Sequence, residues 1–65
     1  MENTLKVWRA REDLTQAALA KEVQVSRQTI NAIETGRYDP SLELAFKLAR
    51  RFECSIEDIF RFDPE

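Results

Sequence analysis

The sequence predicts an all-α fold: one domain of five short helices over residues 1–65. The chain is 43% hydrophobic and 34% charged, which suits one small globular domain. Its apolar residues recur at three- and four-residue spacing, as on the buried side of a helix. It has one glycine and few β-branched runs, so a sheet fold is not expected.

The first helix is predicted from about Thr4 to Glu12. Asn3 precedes this segment and is a suitable N-cap. Leu5 and Trp8 lie three residues apart, so they share one face of the helix. We expect that face to pack inward.

Thr15 and Ser26 are predicted to cap the second and third helices. The second helix continues through the segment QAALAKEV. The third runs to about Thr35, and Gly36 then supplies the left-handed residue that ends a helix. The inward faces follow from helical spacing: Leu19, Ala20 and Val23 in the second helix, Ile30 and Ile33 in the third.

Ser41 is predicted to cap the fourth helix, which covers the segment LELAFKLARRF after the loop RYDP. Ser55 begins the fifth helix, with Asp58 three residues on, close to a capping-box arrangement. The predicted inward residues follow from their spacing: Leu42, Ala45, Leu48, Ala49 and Phe52 in the fourth helix, Ile56, Ile59 and Phe60 in the fifth.

The second and third helices are joined by only Gln24 and Val25 before the Ser26 cap. So short a link makes the two helices cross steeply, as in a helix-turn-helix, here at about residues 15–35. Gln24 at the bend is predicted to adopt a positive φ, which costs a non-glycine residue about 1–2 kcal/mol. Asp13 has a similar helix-ending position.

The third helix carries polar side chains suited to the edges of base pairs. If Ile30 and Ile33 face the core, the outward surface near the helix start holds Arg27, Gln28 and Asn31. Arginine pairs with guanine O6 and N7, and glutamine or asparagine pairs with adenine N6 and N7. From this helix alone, an ordinary solvated face explains the same residues equally well.

Other polar residues flank that surface. Gln16 begins the second helix, where its amide can reach a DNA phosphate and brace Gln28. Arg37 and Tyr38 follow the third helix and can contact the DNA backbone. A helix N-terminus also carries roughly half a positive charge, which suits phosphates.

The segment from Leu14 to Phe52, LTQAALAKEVQVSRQTINAIETGRYDPSLELAFKLARRF, resembles the Cro/repressor-type helix-turn-helix family, also called the XRE family of prokaryotic regulators. The combination of LTQ, LA, VSRQTI, IETGRY and PSLELA carries the resemblance, which is greatest to small stand-alone regulators. The resemblance implies a five-helix, lambda-repressor-like domain. It also implies that the protein binds double-stranded operator DNA as a dimer.

By position, the resemblance implies contacts with DNA bases for Arg27, Gln28 and Asn31. It implies contacts with the DNA backbone, or support for them, for a second set: Gln16, Ser26, Thr29, Arg37 and Tyr38. It further implies a structural salt bridge between Arg9 and Glu34, which agrees with their positions after core residues. The sequence departs from the family at Asp13 and Gln24, where glycine is common, and at Ala18, where an acidic residue is usual.

The net charge of −2 does not by itself favour a nucleic-acid partner. The acidic excess lies in residues 39–65, which carry seven acidic and four basic side chains. Residues 1–38 carry six basic and five acidic side chains, so one face of this half can be basic. We therefore expect weaker non-specific DNA binding than a strongly basic protein shows.

Several other functions are not expected. The chain has no histidine and one cysteine, Cys54, so it holds no zinc cluster or histidine-based catalytic site. We expect neither a cofactor nor enzymatic activity. Cys54 is interpreted as a small buried side chain rather than a redox sensor. No apolar stretch approaches a membrane helix or a signal peptide, and the expected location is the cytoplasm, at the nucleoid.

The C-terminal tail, residues 59–65, is predicted to contact a second chain. Phe60 and Phe62 alternate around Arg61, as in a strand, after a helix too short to bury both. The simpler interpretation places one phenylalanine in the protomer's own core. The alternative is a symmetric homodimer through Phe62, with Ile59 or Phe60. A second function also remains open: an antitoxin-like protein-interaction module, whose acidic half and aromatic tail engage a protein partner.

Overall fold

The computed structural model describes residues 1–62. Five helices and a pair of short strands make up this part of the chain: β1 (Glu2–Asn3), α1 (Leu5–Arg11), α2 (Gln16–Val23), α3 (Arg27–Glu34), α4 (Leu42–Arg51), α5 (Ile56–Ile59) and β2 (Phe60–Arg61). The predicted five-helix fold is confirmed, with a small sheet in addition. Residues 63–65 of the predicted dimer tail lie outside the described residues. Across residues 1–62, every helix is too short or too polar to cross a lipid bilayer.

The helices begin where the sequence predicts them. The side-chain oxygens of Thr15, Ser26 and Ser41 accept hydrogen bonds at 3.0–3.1 Å from backbone N–H groups three residues further on. These bonds satisfy donors that a helix N-terminus leaves free. At the bend between α2 and α3, Gln24 has φ 65° and adopts the left-handed conformation that the short connection requires.

The small sheet was not predicted, although the alternation of Phe60 and Phe62 around Arg61 indicated a strand-like segment at the position of β2. β1 pairs antiparallel with β2, so that Glu2 lies opposite Arg61 and Asn3 lies opposite Phe60.

The N-cap of α1 is Thr4 and not the predicted Asn3, because Asn3 belongs to β1. The Asn3 side chain still satisfies a donor at the helix start, since its Oδ1 accepts a hydrogen bond from the Leu5 N–H at 3.1 Å. Its Nδ2 donates to the carbonyl of Ile33 at 2.9 Å, which ties the start of the chain to α3.

The core is built from the inward faces of all five helices. The largest side chains with no more than 2% exposure are Leu5, Leu19, Ile30, Ile33, Leu48 and Ile59. Ile30 and Ile33 both belong to α3 and are fully buried, as predicted. Their burial holds α3 by one side and leaves its other side free.

The prediction of the inward face of α4 is wrong at one residue. Leu42 is 70% exposed, and Leu44 is buried in its place. Leu42 lies roughly a quarter turn around the helix axis from the centre of the buried face, which passes through Leu48 and Phe52. As the first residue of α4, it has no preceding turn of helix beside it.

The predicted dimer contact needs a correction at two of its three residues. Ile59 and Phe60 are 2% and 8% exposed and pack in the core of the single chain. Phe60 turns inward where β2 pairs with β1, so neither side chain is free to meet a second copy. Phe62, just beyond β2, is 74% exposed. The dimer prediction therefore rests on Phe62.

Candidate nucleic-acid interface

Helix α3 presents the predicted base-contacting side chains on one exposed surface. Arg27, Gln28 and Asn31 are all exposed, while Ile30 and Ile33 between and beyond them are fully buried. Arg27 and Asn31 are four residues apart, so they lie above one another on the same face of the helix. The structure thus brings these three residues together near the start of α3.

The N-terminus of α3 is capped by the side chain of Ser26, which also contacts Thr29. The Oγ of Ser26 accepts the Thr29 N–H at 3.1 Å, and the two hydroxyl oxygens of Ser26 and Thr29 are 3.0 Å apart. The two predicted backbone contacts at this end are therefore engaged in capping the helix. Their position places them at the positive end of the α3 dipole.

The acidic residues of the helix starts are distributed unevenly. The first turns of α2 and α3 contain no acidic residue, whereas Glu43 lies in the first turn of α4. The first turn of α5 contains two, Glu57 and Asp58. Neither α2 nor α3 therefore has an acidic side chain in its own first turn that would offset its dipole. The carboxylate that contacts Gln16 at the start of α2 is that of Glu34, and it is paired with Arg9.

The predicted salt bridge between Arg9 and Glu34 is present. Arg9 Nε lies 2.8 Å from Glu34 Oε2, and Nη2 lies 3.2 Å from Oε1. The remaining Nη1 donates to the carbonyl oxygen of Leu14 at 2.8 Å. The Glu34 side chain is only 4% exposed, and its hydrogen bond raises the pKa of Arg9. The pair fixes α1 against the end of α3.

Gln16 makes different contacts from those predicted. Its Nε2 donates to Glu34 Oε1 at 3.0 Å and to Asn31 Oδ1 at 3.2 Å, not to Gln28. A carboxylate is a stronger acceptor than a neutral amide, so Glu34 holds the Gln16 side chain back against α3. Both N–H groups of its amide are engaged within the protein. The first backbone N–H of α2 is the group that Gln16 can offer to a phosphate.

Arg37 and Tyr38 are exposed at the opposite end of α3. The Arg37 N–H donates to the Ala32 carbonyl at 2.9 Å as the chain leaves the helix. The length of α3 separates them from Ser26 by about 12 Å. Among residues 1–62, no carboxylate forms a salt bridge with Arg27 or Arg37. Both cations are therefore available for an anionic ligand.

Cys54 was interpreted as a buried side chain; it is half-buried and packs against the edge of the core. Burial raises the pKa of its thiol, and the nearby charge of Asp58 raises it further. A thiol in this environment is a poor nucleophile. The described part of the chain also has no cluster of carboxylates and cysteine that could ligate a metal ion.

In this protein α2 and α3 are joined by a tight turn. The second of these helices is anchored by two isoleucines and exposes an arginine and two amides. This arrangement is that of a helix-turn-helix protein. A family model described as helix-turn-helix matches residues 5–59. The chain belongs to this XRE-type helix-turn-helix family of transcriptional regulators, as the sequence resemblance implied. It is accordingly a regulator and not an enzyme.

Individual relatives match over the whole chain. The protein MJ0272 of Methanocaldococcus jannaschii is 58% identical over 65 residues, which cover all of this chain and 98% of that protein. A protein of Archaeoglobus fulgidus is 52% identical over 65 residues, which cover all of this chain and 92% of that protein. Both are described as uncharacterized HTH-type transcriptional regulators. The P22 c2 repressor, crystallised with a synthetic operator, is a similar structure, with TM-score 0.78 and 30% identity over 82% of this chain and 80% of that one.

Proposed function

We propose that this protein binds double-stranded DNA sequence-specifically and represses transcription by occupying an operator. The observation that carries the proposal is the surface of α3, where Arg27, Gln28 and Asn31 stand exposed above two buried isoleucines. An α-helix fits the major groove, and its first residues meet the base edges. Such a regulator works in the cytoplasm, where the chromosome lies.

Contacts with the DNA backbone would hold α3 in the groove. Ser26 and Thr29 lie at its start, Arg37 and Tyr38 at its end, and the backbone of Gln16 at the start of α2. Two observations support this arrangement: Arg37 forms no salt bridge within residues 1–62, and the first turns of α2 and α3 contain no acidic residue. Phosphate contacts position the protein, and base contacts select the sequence.

The proposal is tested by fluorescence anisotropy titration of the full chain against random duplexes and genomic fragments at two salt concentrations. We expect a small set of fragments to bind at least about a thousandfold more tightly than random DNA, as specific binders do. Equal affinity for all fragments would show binding by charge alone and would contradict the proposal. So would the absence of binding at low salt.

Replacing Arg37 with alanine is expected to weaken binding to all DNA sequences alike. The variant loses one phosphate contact, so the slope of log affinity against log salt should fall by about 1. The measurement is the same titration over a series of salt concentrations. Arg11→Ala is the charge-matched control, because Arg11 belongs to α1 and stacks over Trp8 at 4.9 Å, whereas Arg37 follows the end of α3. Equal slopes for the two variants would count against Arg37 as a backbone contact.

The proposed repressor acts as a homodimer. An open groove beside α4 and α5 is lined by Phe46 and Phe62, which are 52% and 74% exposed. Arg50 and Glu57 lie along the same groove with opposite charges. A second copy related by a two-fold axis can bury both phenylalanines and pair each Arg50 with the Glu57 of the other copy. In such a dimer, two α3 helices about 34 Å apart would recognise a palindromic operator.

Replacing Phe62 with aspartate is expected to convert the dimer into a monomer. The reason is that the substitution places a charge in the apolar surface that the second copy would bury. Sedimentation equilibrium at micromolar concentration measures the change. Leu42→Asp is the control, since Leu42 is also highly exposed but does not line the groove. An unchanged dimer in the Phe62 variant would contradict this interface. Co-purification of a tight heteromeric partner lost in that variant would instead favour the protein-interaction module.

A further inference from the structure

We infer that Asn3 is a positioning residue for DNA binding: it fixes the end of α3 and so holds Arg37 ready for a DNA phosphate. The inference rests on the proposed function, in which Arg37 contacts the DNA backbone, and adds a residue that lies on a different element. Residues 35–37, through which the chain leaves α3, form what we call the exit turn. Asn3 acts through the exit turn rather than by touching DNA.

Two backbone hydrogen bonds form the exit turn. The Gly36 N–H donates to the Ile33 carbonyl at 3.0 Å, and the Arg37 N–H donates to the Ala32 carbonyl at 2.9 Å. Gly36 has φ 79°, so the chain turns here through the left-handed conformation that commonly ends a helix. The position of the Arg37 backbone is therefore determined by two carbonyl groups in the last turn of α3.

The N-terminal segment supports the exit turn from outside the helix. The Asn3 Nδ2 donates to the Ile33 carbonyl at 2.9 Å, so this oxygen accepts from both Asn3 and Gly36. A Cβ placed on Gly36 would lie 4.0 Å from the carbonyl oxygen of Met1, so the chain just before β1 runs beside the exit turn. Asn3 therefore contacts the carbonyl on which the exit turn is built.

Asn3 is itself held in place, which allows it to act as a support. Its Oδ1 accepts the Leu5 N–H at 3.1 Å, and its backbone pairs with Phe60 in the small sheet. The next residue, Thr4, donates its N–H to the Ile59 carbonyl at 2.8 Å. Ile59 and Phe60 are core residues, so Asn3 is anchored to the core beside the exit turn.

The amide of asparagine suits both of these side-chain bonds. It carries an acceptor oxygen and a donor nitrogen on one short side chain, so it can bond the start of α1 and the end of α3 at once. The hydroxyl of serine can still accept the N–H two residues on, as in an ST turn. That hydroxyl lies one bond nearer to the backbone than the Asn3 Nδ2 and does not reach Ile33 as well. Asn3→Ser therefore removes the contact with α3 while keeping the contact with α1.

A supported exit turn lowers the free-energy cost of placing Arg37 on a phosphate. Arg37 is exposed and forms no salt bridge within residues 1–62, so its side chain has freedom to lose on binding. If the exit turn is loose, binding must also order the backbone that carries this side chain, and that ordering lowers affinity. The cation itself remains, so the number of phosphate contacts does not change. Loss of the Asn3 contact should therefore lower affinity without changing its salt dependence.

The test compares five full-length proteins: the wild type, Asn3→Ser, Thr4→Val, Arg37→Ala and the double variant Asn3→Ser with Arg37→Ala. Thr4→Val is the matched control, because the Thr4 hydroxyl donates to the Asp58 carbonyl at 3.2 Å and so ties the same segment to α5 rather than to α3. Anisotropy titrations against random duplexes and the tightest-binding genomic fragment, over a series of salt concentrations, measure affinity. Amide hydrogen exchange of the free proteins, followed by NMR, reports on the exit turn without DNA. Thermal unfolding checks that each variant is folded.

In Asn3→Ser we expect amide exchange at Gly36 and Arg37 to be about fivefold faster, while exchange at Thr29, near the start of α3, stays unchanged. Affinity should fall about threefold to tenfold for random and specific DNA alike, with the salt slope of the wild type. In the Arg37→Ala background the same change should cost less than about twofold, because it acts through Arg37. Thr4→Val should leave exchange at the exit turn and affinity close to the wild-type values.

Unchanged exchange at the exit turn in Asn3→Ser, or an equal loss of affinity with and without Arg37, would overturn the inference alone. An equal loss in Thr4→Val would do the same, because the effect would then belong to the N-terminal segment in general. If Arg37→Ala binds DNA as tightly as the wild type, Arg37 is not a backbone contact, and the inference falls while the base contacts of the proposed function stand. A wild type that binds no DNA would overturn both.

Discussion

An Arg9→Ala variant is expected to lose about 3 kcal/mol of unfolding free energy. The Glu34 carboxylate is 4% exposed and receives two hydrogen bonds from Arg9. Without Arg9 it keeps only the amide of Gln16, and an uncompensated buried charge is strongly destabilising. A domain of this size has a total stability of only about 3–10 kcal/mol. Urea unfolding followed by Trp8 fluorescence measures the loss.

Two further variants separate the buried charge from other causes. Arg9→Met with Glu34→Met removes both charges at once and is expected to recover most of the lost stability, since an apolar pair tolerates burial. Lys6→Ala removes an exposed cation from the same helix and is expected to change stability by less than about 0.5 kcal/mol. A double variant as unstable as Arg9→Ala would contradict the explanation by an unpaired Glu34.

An Arg27→Ala variant is expected to lose about 1–3 kcal/mol of operator binding and to become tolerant at one base pair. Arg27 is the first residue of α3, is exposed and has no salt bridge within the described residues. Its guanidinium is free to donate two parallel hydrogen bonds to guanine. Anisotropy titrations against the selected operator and its single-base-pair variants measure both effects.

Arg27→Lys distinguishes the shape of the side chain from its charge. Lysine keeps the positive charge but lacks the planar fork of the guanidinium. Affinity for random DNA should therefore stay close to the wild-type value, while the base preference at one pair weakens. Unchanged operator affinity in Arg27→Ala would count strongly against the α3 surface as the site that reads DNA.

The helices could be predicted because their signals are local. Ser26 and its cap on α3, the left-handed Gln24 and the buried Ile30 each follow from a few neighbouring residues. The strand pair could not be predicted in the same way. The alternation of Phe60 and Phe62 indicated a strand-like segment, but nothing local indicates its partner, because Asn3 lies at the other end of the described residues. The burial of Phe60 rather than Phe62 depends on that pairing.

The candidate site could be predicted in part. The outward direction of Arg27 and Asn31 follows from helical geometry once Ile30 and Ile33 are known to face the core. The partner of Gln16 could not be predicted, because its amide has several neighbours across the α2–α3 crossing. The Gln16 amide bonds Asn31 and not Gln28 because the Glu34 carboxylate, which also accepts from Gln16, fixes where that amide lies. The position of that carboxylate is in turn set by Arg9 on a different helix.

Asn3 is bonded both to α3 and to β2, and this link bears on the half-site spacing that the proposed dimer can recognise. Asn3 bonds the last turn of α3 through its side chain and joins the C-terminal strand through its backbone. Asn3 thus links α3 directly to β2, the strand that precedes Phe62. In the proposed dimer, small changes in these terminal segments would alter the distance between half-sites while the recognised bases stay the same. In that dimer, the spacing of the half-sites and the preferred bases would therefore be set by different parts of the chain.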